Sequence, residues 1–250
     1  MNPYETDELV TQYMEFHYGD SYFNVENYPA KCAQLCLQLI ESEKGVATQK
    51  ALDLGCAVGR TAFELARGFD EVIGVDLSLR FVECAKQLKE KGSLEYSLIT
   101  EGELVTPCKA ELARLNLDQQ SNKVQFYQED ACNLSNRHQQ YNLIFAGNLL
   151  DRLSNPKQFL NSVHSHLVVG GILVMSSPYT LLEEYTPREN WMGGYIETGK
   201  VVSVLDGIKE ELAPHFVMMN EPIDVPFVIR ETRRKFQHTI AELSGWKRIK

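Results

Sequence analysis

No stretch of this 250-residue chain approaches the roughly 20 consecutive apolar residues that a bilayer-spanning helix requires. The longest apolar run, residues 167–175, is interrupted by Gly170-Gly171, so no membrane partner is expected. Basic residues are also scarce: 25 Lys and Arg stand against 34 Asp and Glu, a formal charge of −9. A surface of that sign repels phosphates on average, and nucleic-acid affinity comes largely from cations displacing counterions, so no nucleic-acid partner is expected either. The cysteines at positions 32, 36, 56, 84, 108 and 132 include no C-x-x-C pair, and no histidine stands at zinc-finger spacing from them. The pattern therefore implies no metal, and thiols scattered in this way fit a reduced, cytoplasmic setting. The polar, acidic start, residues 1–7, is unlike a secretory or mitochondrial leader. No internal repeat, low-complexity tract or linker divides the chain. Its length suffices for a core without staples, so one domain over residues 1–250 is expected.

Apolar residues recur at helical intervals over residues 8–18 and 30–41, which predicts a helical cap across residues 1–45. Five short buried runs follow, at 51–54, 72–75, 124–127, 143–146 and 172–175. Helical patterns at 61–67 and 79–91 separate the first three, as in a parallel sheet covered on both faces. Two connections are unusually long. Residues 92–123 read as an insertion of mixed polarity with some helical character, and residues 176–200, rich in Tyr, Trp, Gly and Pro, read as a substrate loop. The tail, residues 216–249, predicts two further strands, near Val217-Met218 and within 237–243.

The most informative stretch is Asp53-Leu54-Gly55-Cys56-Ala57-Val58-Gly59-Arg60, between a strand and a helix. Glycines there let the backbone pass close to a ligand. Asp76 ends the second strand, and Asp130 ends the third within Gln128-Glu129-Asp130-Ala131-Cys132. All three sites fall on the carboxyl edge of the sheet, where open α/β folds bind ligands. A dinucleotide site would use G-x-G-x-x-G, whereas the spacing here is Gly55-x-x-x-Gly59. An acid at Asp53 would repel a pyrophosphate but could orient an ammonium group, so a dehydrogenase is the weakest reading.

This turn, followed by Asp76 and Asp130, resembles the cofactor site of class I S-adenosylmethionine-dependent methyltransferases. The resemblance implies a Rossmann-like, seven-stranded α/β fold, mostly parallel with an antiparallel last strand, behind an N-terminal helical extension. It implies S-adenosylmethionine as cofactor, held by Asp53, Gly55, Cys56, Gly59, Asp76, Leu77, Asp130, Ala131 and Asn148. Gly55, Cys56 and Gly59 would surround its methionine and adenosine parts, Asp76 would meet the ribose, and Asp130 would lie beside the adenine. Cys56 would pack against cofactor, since methyl transfer requires no covalent intermediate.

Methyl transfer is an in-line displacement, so acceptor residues are expected near the fourth strand's end, in the loop after the fifth, and on the N-terminal helices. Asn148-Leu149-Leu150-Asp151-Arg152-Leu153 lacks the Asn-Pro-Pro-Tyr type signature of enzymes that methylate flipped bases, which favours a small-molecule acceptor. Several stretches carry a narrower resemblance: Tyr4-Glu5-Thr6, Phe16-His17-Tyr18-Gly19, the run from Ala146 to Leu153, Ser177-Pro178-Tyr179-Thr180 onward to Trp191-Met192-Gly193-Gly194, and Pro226-Phe227-Val228-Ile229-Arg230-Glu231 with Arg234-Lys235-Phe236-Gln237. Together they look like the 4-mercaptohistidine N1-methyltransferase family, which is similar to the C-terminal domain of the ovothiol-biosynthesis protein OvoA. Leu181 stands where that family suggests Trp, Arg233 stands near an expected Ala, and no sulfoxide-synthase domain precedes the match.

The resemblance implies methylation of the ring nitrogen adjacent to the side-chain attachment of 5-thiohistidine, giving ovothiol A, with association to a sulfoxide synthase among the expected partners. An amino-acid substrate needs partners for both of its charges. Arg230 is the first candidate for its carboxylate and Arg152 the second. Glu183, Glu184 or Glu231 could meet its ammonium. Tyr179, Trp191 and Tyr195 could wall the ring, Asn148 could hydrogen-bond to it, and His17 with Tyr18 could close over it. Two alternatives stand beside this reading: a methyltransferase for another small amine, imidazole or carboxylate, and an inactive cofactor-binding partner of the synthase. No pattern in the sequence encodes an oligomeric state.

Overall fold

Two helices lead into the sheet of this computed structural model, which describes residues 3–250; Met1 and Asn2 of the expected cap lie outside the described residues. Thr6 accepts a hydrogen bond from the Leu9 amide at 3.3 Å and starts α1 (Asp7–Tyr18). Asn27 accepts from the Ala30 amide at 3.1 Å and starts α2 (Tyr28–Ser42), with Pro29 in a first turn that has no partner for its missing N–H. The Asn27 amide also donates to the carbonyls of Phe16 (3.0 Å) and His17 (3.1 Å), so one side chain caps the second helix and ties down the end of the first.

The chain continues through β1 (Lys50–Leu54), α3 (Arg60–Leu65), β2 (Glu71–Asp76) and α4 (Leu79–Lys91). A hairpin follows, β3 (Ser93–Glu101) and β4 (Leu104–Glu111), then β5 (Val124–Gln128), β6 (Tyr141–Gly147), α5 (Pro156–Val163) and β7 (Leu167–Ser177). The last elements are a small hairpin, β8 (Tyr195–Glu197) with β9 (Lys200–Val202), then α6 (Val204–Leu212), β10 (Phe216–Met218), β11 (Ile223–Arg230) and β12 (Phe236–Arg248).

The five expected apolar runs become β1, β2, β5, β6 and β7, adjacent and parallel in the order β5-β2-β1-β6-β7. Their runs are continuous because neighbouring residues face two different buried layers. Ala51 and Val72 join the layer under α1–α4, whereas Leu52 and Ile73 join the layer under α5 and α6. β12 lies antiparallel beside β7. Its 13 residues outrun any one neighbour, so β10 and β11 share its outer edge end to end, β11 along residues 236–243 and β10 along 246–248.

Two local expectations are refined. The insertion at 92–123 is mainly the β3–β4 hairpin, its helical character confined to 3-10 turns at Ala113–Leu115 and Asp118–Lys123. Alternation of Leu94, Tyr96 and Leu98 with Glu95 and Ser97 gives the strand period. The tail forms three strands rather than two. The added one, β11, contains Pro226, whose missing N–H is tolerated because the strand lies at the sheet border. Among the described residues, no helix is long and apolar enough to cross a membrane.

Candidate active site

The turn after β1 is fixed by backbone bonds across to β2. The amides of Gly55 and Cys56 both donate to the Val75 carbonyl, at 2.8 and 3.0 Å. Gly55 and Gly59 hold φ of +71° and +89°, a region glycine occupies without steric cost. A Cβ on Gly59 would also fall 2.7 Å from the Phe126 ring. The turn brings the Ala57 amide onto Asp76, whose carboxylate accepts from Ala57 and Ser78, each at 2.8 Å. Burial pushes Asp76 up to about 6, against the pull of those amides.

Asp53 is buried at the end of β1. Burial, helped by the nearby charge of Asp76, pushes it up to about 8, and its Oδ2 has no hydrogen-bond partner. Asp130 turns onto its own loop, accepting from the Cys132 amide (2.8 Å) and the Asn133 side chain (2.9 Å), which shapes the half-buried Ala131 segment beyond β5. Leu77 leaves its side chain 59% exposed beside Asp76, an apolar surface suited to a flat ring. Cys56 is buried with its Sγ 3.6 Å from the Ala57 carbonyl, and burial raises its thiol.

The end of α1 presses on this turn. Tyr18 donates to the Val58 carbonyl at 2.8 Å, and the Arg60 amide donates to His17 Nδ1 at 3.3 Å. Burial, with the Arg60 charge adding to it, drives His17 down to about 3, so its ring is neutral. From the other side, the segment before α1 is stitched to the start of α4. Ser78 Oγ donates to the Tyr4 carbonyl (3.0 Å), the Leu79 amide to Glu5 (2.8 Å), and Arg80 to the Glu5 carbonyl (3.0 Å). Arg152 pairs with Asp151 at 3.1 Å, lies over the Tyr185 ring and reaches Tyr4, which places it on the cofactor side.

Past β6 the chain turns at Asn148 with φ +49°, its amide donating to the Ser176 carbonyl at 2.8 Å. The Tyr28 hydroxyl sits between the Asn148 Oδ1 (2.9 Å) and the Ser176 Oγ (2.7 Å). Tyr28 also borders a small open pocket between α1, α2 and β11. Arg230 lies in that cavity wall, its Nε donating to the Thr232 carbonyl (3.2 Å) and its Nη1 to the Tyr22 hydroxyl (3.0 Å).

On the opposite face of β7, Ser177 donates to Asp151 at 3.1 Å and accepts from the Tyr179 amide at 3.0 Å. Tyr179, at φ +52°, donates its hydroxyl to Glu242 (2.7 Å). Trp191 Nε1 donates to the Thr186 carbonyl (2.9 Å), and the Arg188 guanidinium lies over the rings of Trp191 and Tyr195. Tyr179, Trp191 and Asp151 line a second small pocket with Leu150, Leu181 and Met192.

Residues 25–206 match the family described as "Methyltransferase domain". The chain belongs to this methyltransferase family. A search of curated proteins finds no match. Among solved structures the methyltransferase is similar in fold to the N-methyltransferase NodS of Bradyrhizobium japonicum WM9, in complex with S-adenosyl-L-homocysteine, at 14% identity and TM-score 0.56, covering 98% of this chain and 100% of that one. It is also similar to the magnesium protoporphyrin IX methyltransferase ChlM of Synechocystis PCC 6803 with bound S-adenosyl-L-homocysteine, at 15% identity and TM-score 0.55, covering 95% and 93%. YcgJ of Bacillus subtilis matches at 14% identity and TM-score 0.55, covering 88% and 98%.

S-adenosylmethionine is the methyl donor of this methyltransferase, and the crevice fits it. The buried, unpartnered Asp53 oxygen is suited to an ammonium, and the exposed Leu77 to an adenine face. The sequence-predicted residues fall into three places. Asp53, Gly55, Cys56, Gly59, Asp76 and His17 converge at the turn, with Leu77, Asp130, Ala131 and Arg152 along the same crevice. Arg230 lines the first cavity with Tyr28, and Asn148 lies behind Tyr28, hydrogen-bonded to its hydroxyl. Tyr179 and Trp191 line the second cavity instead, across β7. Glu183 and Glu184 are exposed, and Glu231 is engaged by Lys235 and by Gln237 (2.7 Å). The sequence reading misses Glu15, Tyr22, Tyr28 and Ser176; for Glu15 the available signal is an acid wedged between the apolar helix positions Met14 and Phe16.

Proposed function

We propose that this methyltransferase acts on the ring nitrogen of 5-thiohistidine adjacent to the side-chain attachment, forming ovothiol A. The observation that carries the reading is the cavity bordering the Asn148–Tyr28–Ser176 hydrogen-bond cluster, which holds a guanidinium, Arg230, beside the aromatic rings of Phe16 and Tyr28. An α-carboxylate suits Arg230, because a guanidinium can meet it bidentately. A flat imidazole would find aromatic surface at Phe16 and Tyr28, both of which line the pocket. Within this scheme Tyr179 and Trp191 bound the neighbouring cavity rather than the acceptor ring.

S-adenosylmethionine, when bound, supplies an activated methyl group on a sulfonium. Asp53 and Asp76 would hold its ammonium and ribose, and Asp130 with Ala131 and Leu77 would frame the adenine. The acceptor sulfur is softer and intrinsically more nucleophilic than the nitrogen, so selectivity must come from orientation. Arg230 at one end and Tyr28, its hydroxyl held by Asn148, at the other would fix the ring so that nitrogen, not sulfur, faces the donor. Such positioning can supply several kcal/mol of the barrier. A strong general base is unnecessary, because the thiolate form of the neutral imidazole already exposes a nitrogen lone pair. His17 stays neutral in its buried site and would close the turn rather than move a proton. On this reading a cytoplasmic sulfoxide synthase supplies the substrate and is the partner with which the methyltransferase associates.

Purified protein incubated with S-adenosylmethionine and 5-thiohistidine should yield a product heavier by one methyl, with a ring N-methyl signal by NMR. Methyl found only on sulfur, or no turnover while another amine, imidazole or carboxylate is methylated, overturns the assignment.

A further inference from the structure

The Arg230 cavity also contains an acid that is 4% exposed, Glu15. A carboxylate so deeply buried is costly unless hydrogen-bonded or paired. Glu15 receives two phenolic donors, Tyr22 on Oε1 and Tyr96 on Oε2, the latter at 2.6 Å. Its Oε1 lies 3.9 Å from Arg230 Nη1, beyond hydrogen-bond range, with the Tyr22 hydroxyl bonded to both groups. A structural ion pair of Arg and Glu ordinarily closes to direct, often bidentate contact. Here the two charges are held apart side by side, each with hydrogen-bonding capacity beyond its present partners. An α-amino acid carries its ammonium and carboxylate on one carbon, in a complementary arrangement of opposite charges.

Two further features reserve this place for Glu15. Gly19 leaves room for it, since a Cβ there would overlap the Glu15 carboxyl. Tyr96 reaches it from β3, in the long insertion. The hairpin is joined to the other wall as well, because the Arg233 amide, past the end of β11, donates to the Thr100 carbonyl at 3.4 Å.

We propose that Glu15 and Arg230 form a clamp for the charged end of an α-amino acid, Glu15 taking the ammonium, and that Tyr96 of the β3–β4 hairpin is the positioning residue that holds Glu15 in place. The proposal rests on the reading of this cavity as the acceptor site and commits it to zwitterionic substrates. Neither Glu183, Glu184 nor Glu231 is needed for that role.

The test is calorimetry on protein saturated with S-adenosyl-L-homocysteine, using 5-thiohistidine, L-histidine, imidazolepropionate (which lacks the ammonium) and histamine (which lacks the carboxylate). Wild type should bind the two amino acids at least ~10-fold more tightly than either truncated compound. Glu15→Gln should weaken the amino acids by ~10-fold or more while changing imidazolepropionate by less than ~3-fold. Tyr96→Phe, which removes one hydroxyl and almost no bulk, should raise the acceptor KM ~3–10-fold with kcat within ~2-fold, and it carries the same ligand comparison if Glu15→Gln does not fold. Equal losses for histidine and imidazolepropionate, no preference among the four compounds in wild type, or a Tyr96→Phe effect confined to kcat would overturn the clamp. Glu15-dependent binding of amino acids without methyl transfer to 5-thiohistidine would support the clamp and reject only the choice of acceptor.

Discussion

If Asp53 holds the cofactor ammonium, as proposed, a single buried acid couples cofactor binding to pH. Burial holds its folded-state value near 8, against an ordinary 3.8, so the folded protein keeps a proton that the unfolded chain sheds. The anionic form suited to an ammonium becomes populated only toward the top of that window. S-adenosylmethionine affinity should therefore rise between pH 6 and pH 8, with net proton release on binding. Calorimetry in buffers of different ionisation heat reads the released proton directly, and a flat profile would show that Asp53 is already ionised. Asp53→Asn should lower cofactor affinity by ~10-fold or more, the scale of one lost charge-assisted hydrogen bond. The same substitution removes a poorly solvated carboxylate, so the cofactor-free variant should melt a few degrees above wild type at pH 9.

At the scale of elements, the joint between α1 and α2 concentrates much of the site's order in Asn27. That residue caps α2 and holds the last carbonyls of α1, the helix that delivers Glu15, His17 and Tyr18. Asn27→Ala should cost about 1–2 kcal/mol, a fall of roughly 2–8 °C in Tm. It should also weaken cofactor and acceptor together, which distinguishes it from a change inside either pocket; a thermal shift with unchanged binding would contradict that coupling. The five parallel strands are legible in the sequence because both of their faces are buried. The β3–β4 hairpin is harder to see, since Glu95, Ser97 and Lys109 are polar and its only turn signal is Gly102-Glu103, with φ +58° at the glycine. β11 is masked by Pro226, a residue that argues against a central strand. Asp53 and Asp76 are legible because the glycine turn between β1 and α3 sets both their places, whereas Glu15, Tyr22 and Tyr96 come from three segments with no motif joining them.

For the whole molecule, buried histidines and buried acids pull stability in opposite directions. His17 and His138 are lowered by burial, to about 3 and about 4, so below their ordinary 6.5 the unfolded chain binds protons that the folded protein refuses, and stability falls as pH drops. Asp53 and Asp76 are raised, to about 8 and about 6, so from 3.8 upward the folded protein binds protons that the unfolded chain has lost, and stability falls as pH rises through those values. Between pH 4 and pH 6 the two effects offset one another. From 6.5 to 8 the histidine effect is gone and the acids act alone. The cofactor-free protein should accordingly lose Tm from pH 6.5 to pH 8, and saturating S-adenosylmethionine should reduce that loss. Calorimetric melts at four or five pH values with and without cofactor check this, and a Tm that climbs toward pH 8 without cofactor would contradict it.

The border strand β11 is poorly built to accept a further strand. A neighbouring chain that tried to extend the sheet there would meet the nitrogen of Pro226, which has no hydrogen to offer. Such a ladder lacks a rung midway, and the remaining exposed length on either side is too short to recruit a stranger. Restoring the rung with Pro226→Val should leave the fold intact and make concentrated solutions associate, visible as a rise in light-scattering mass.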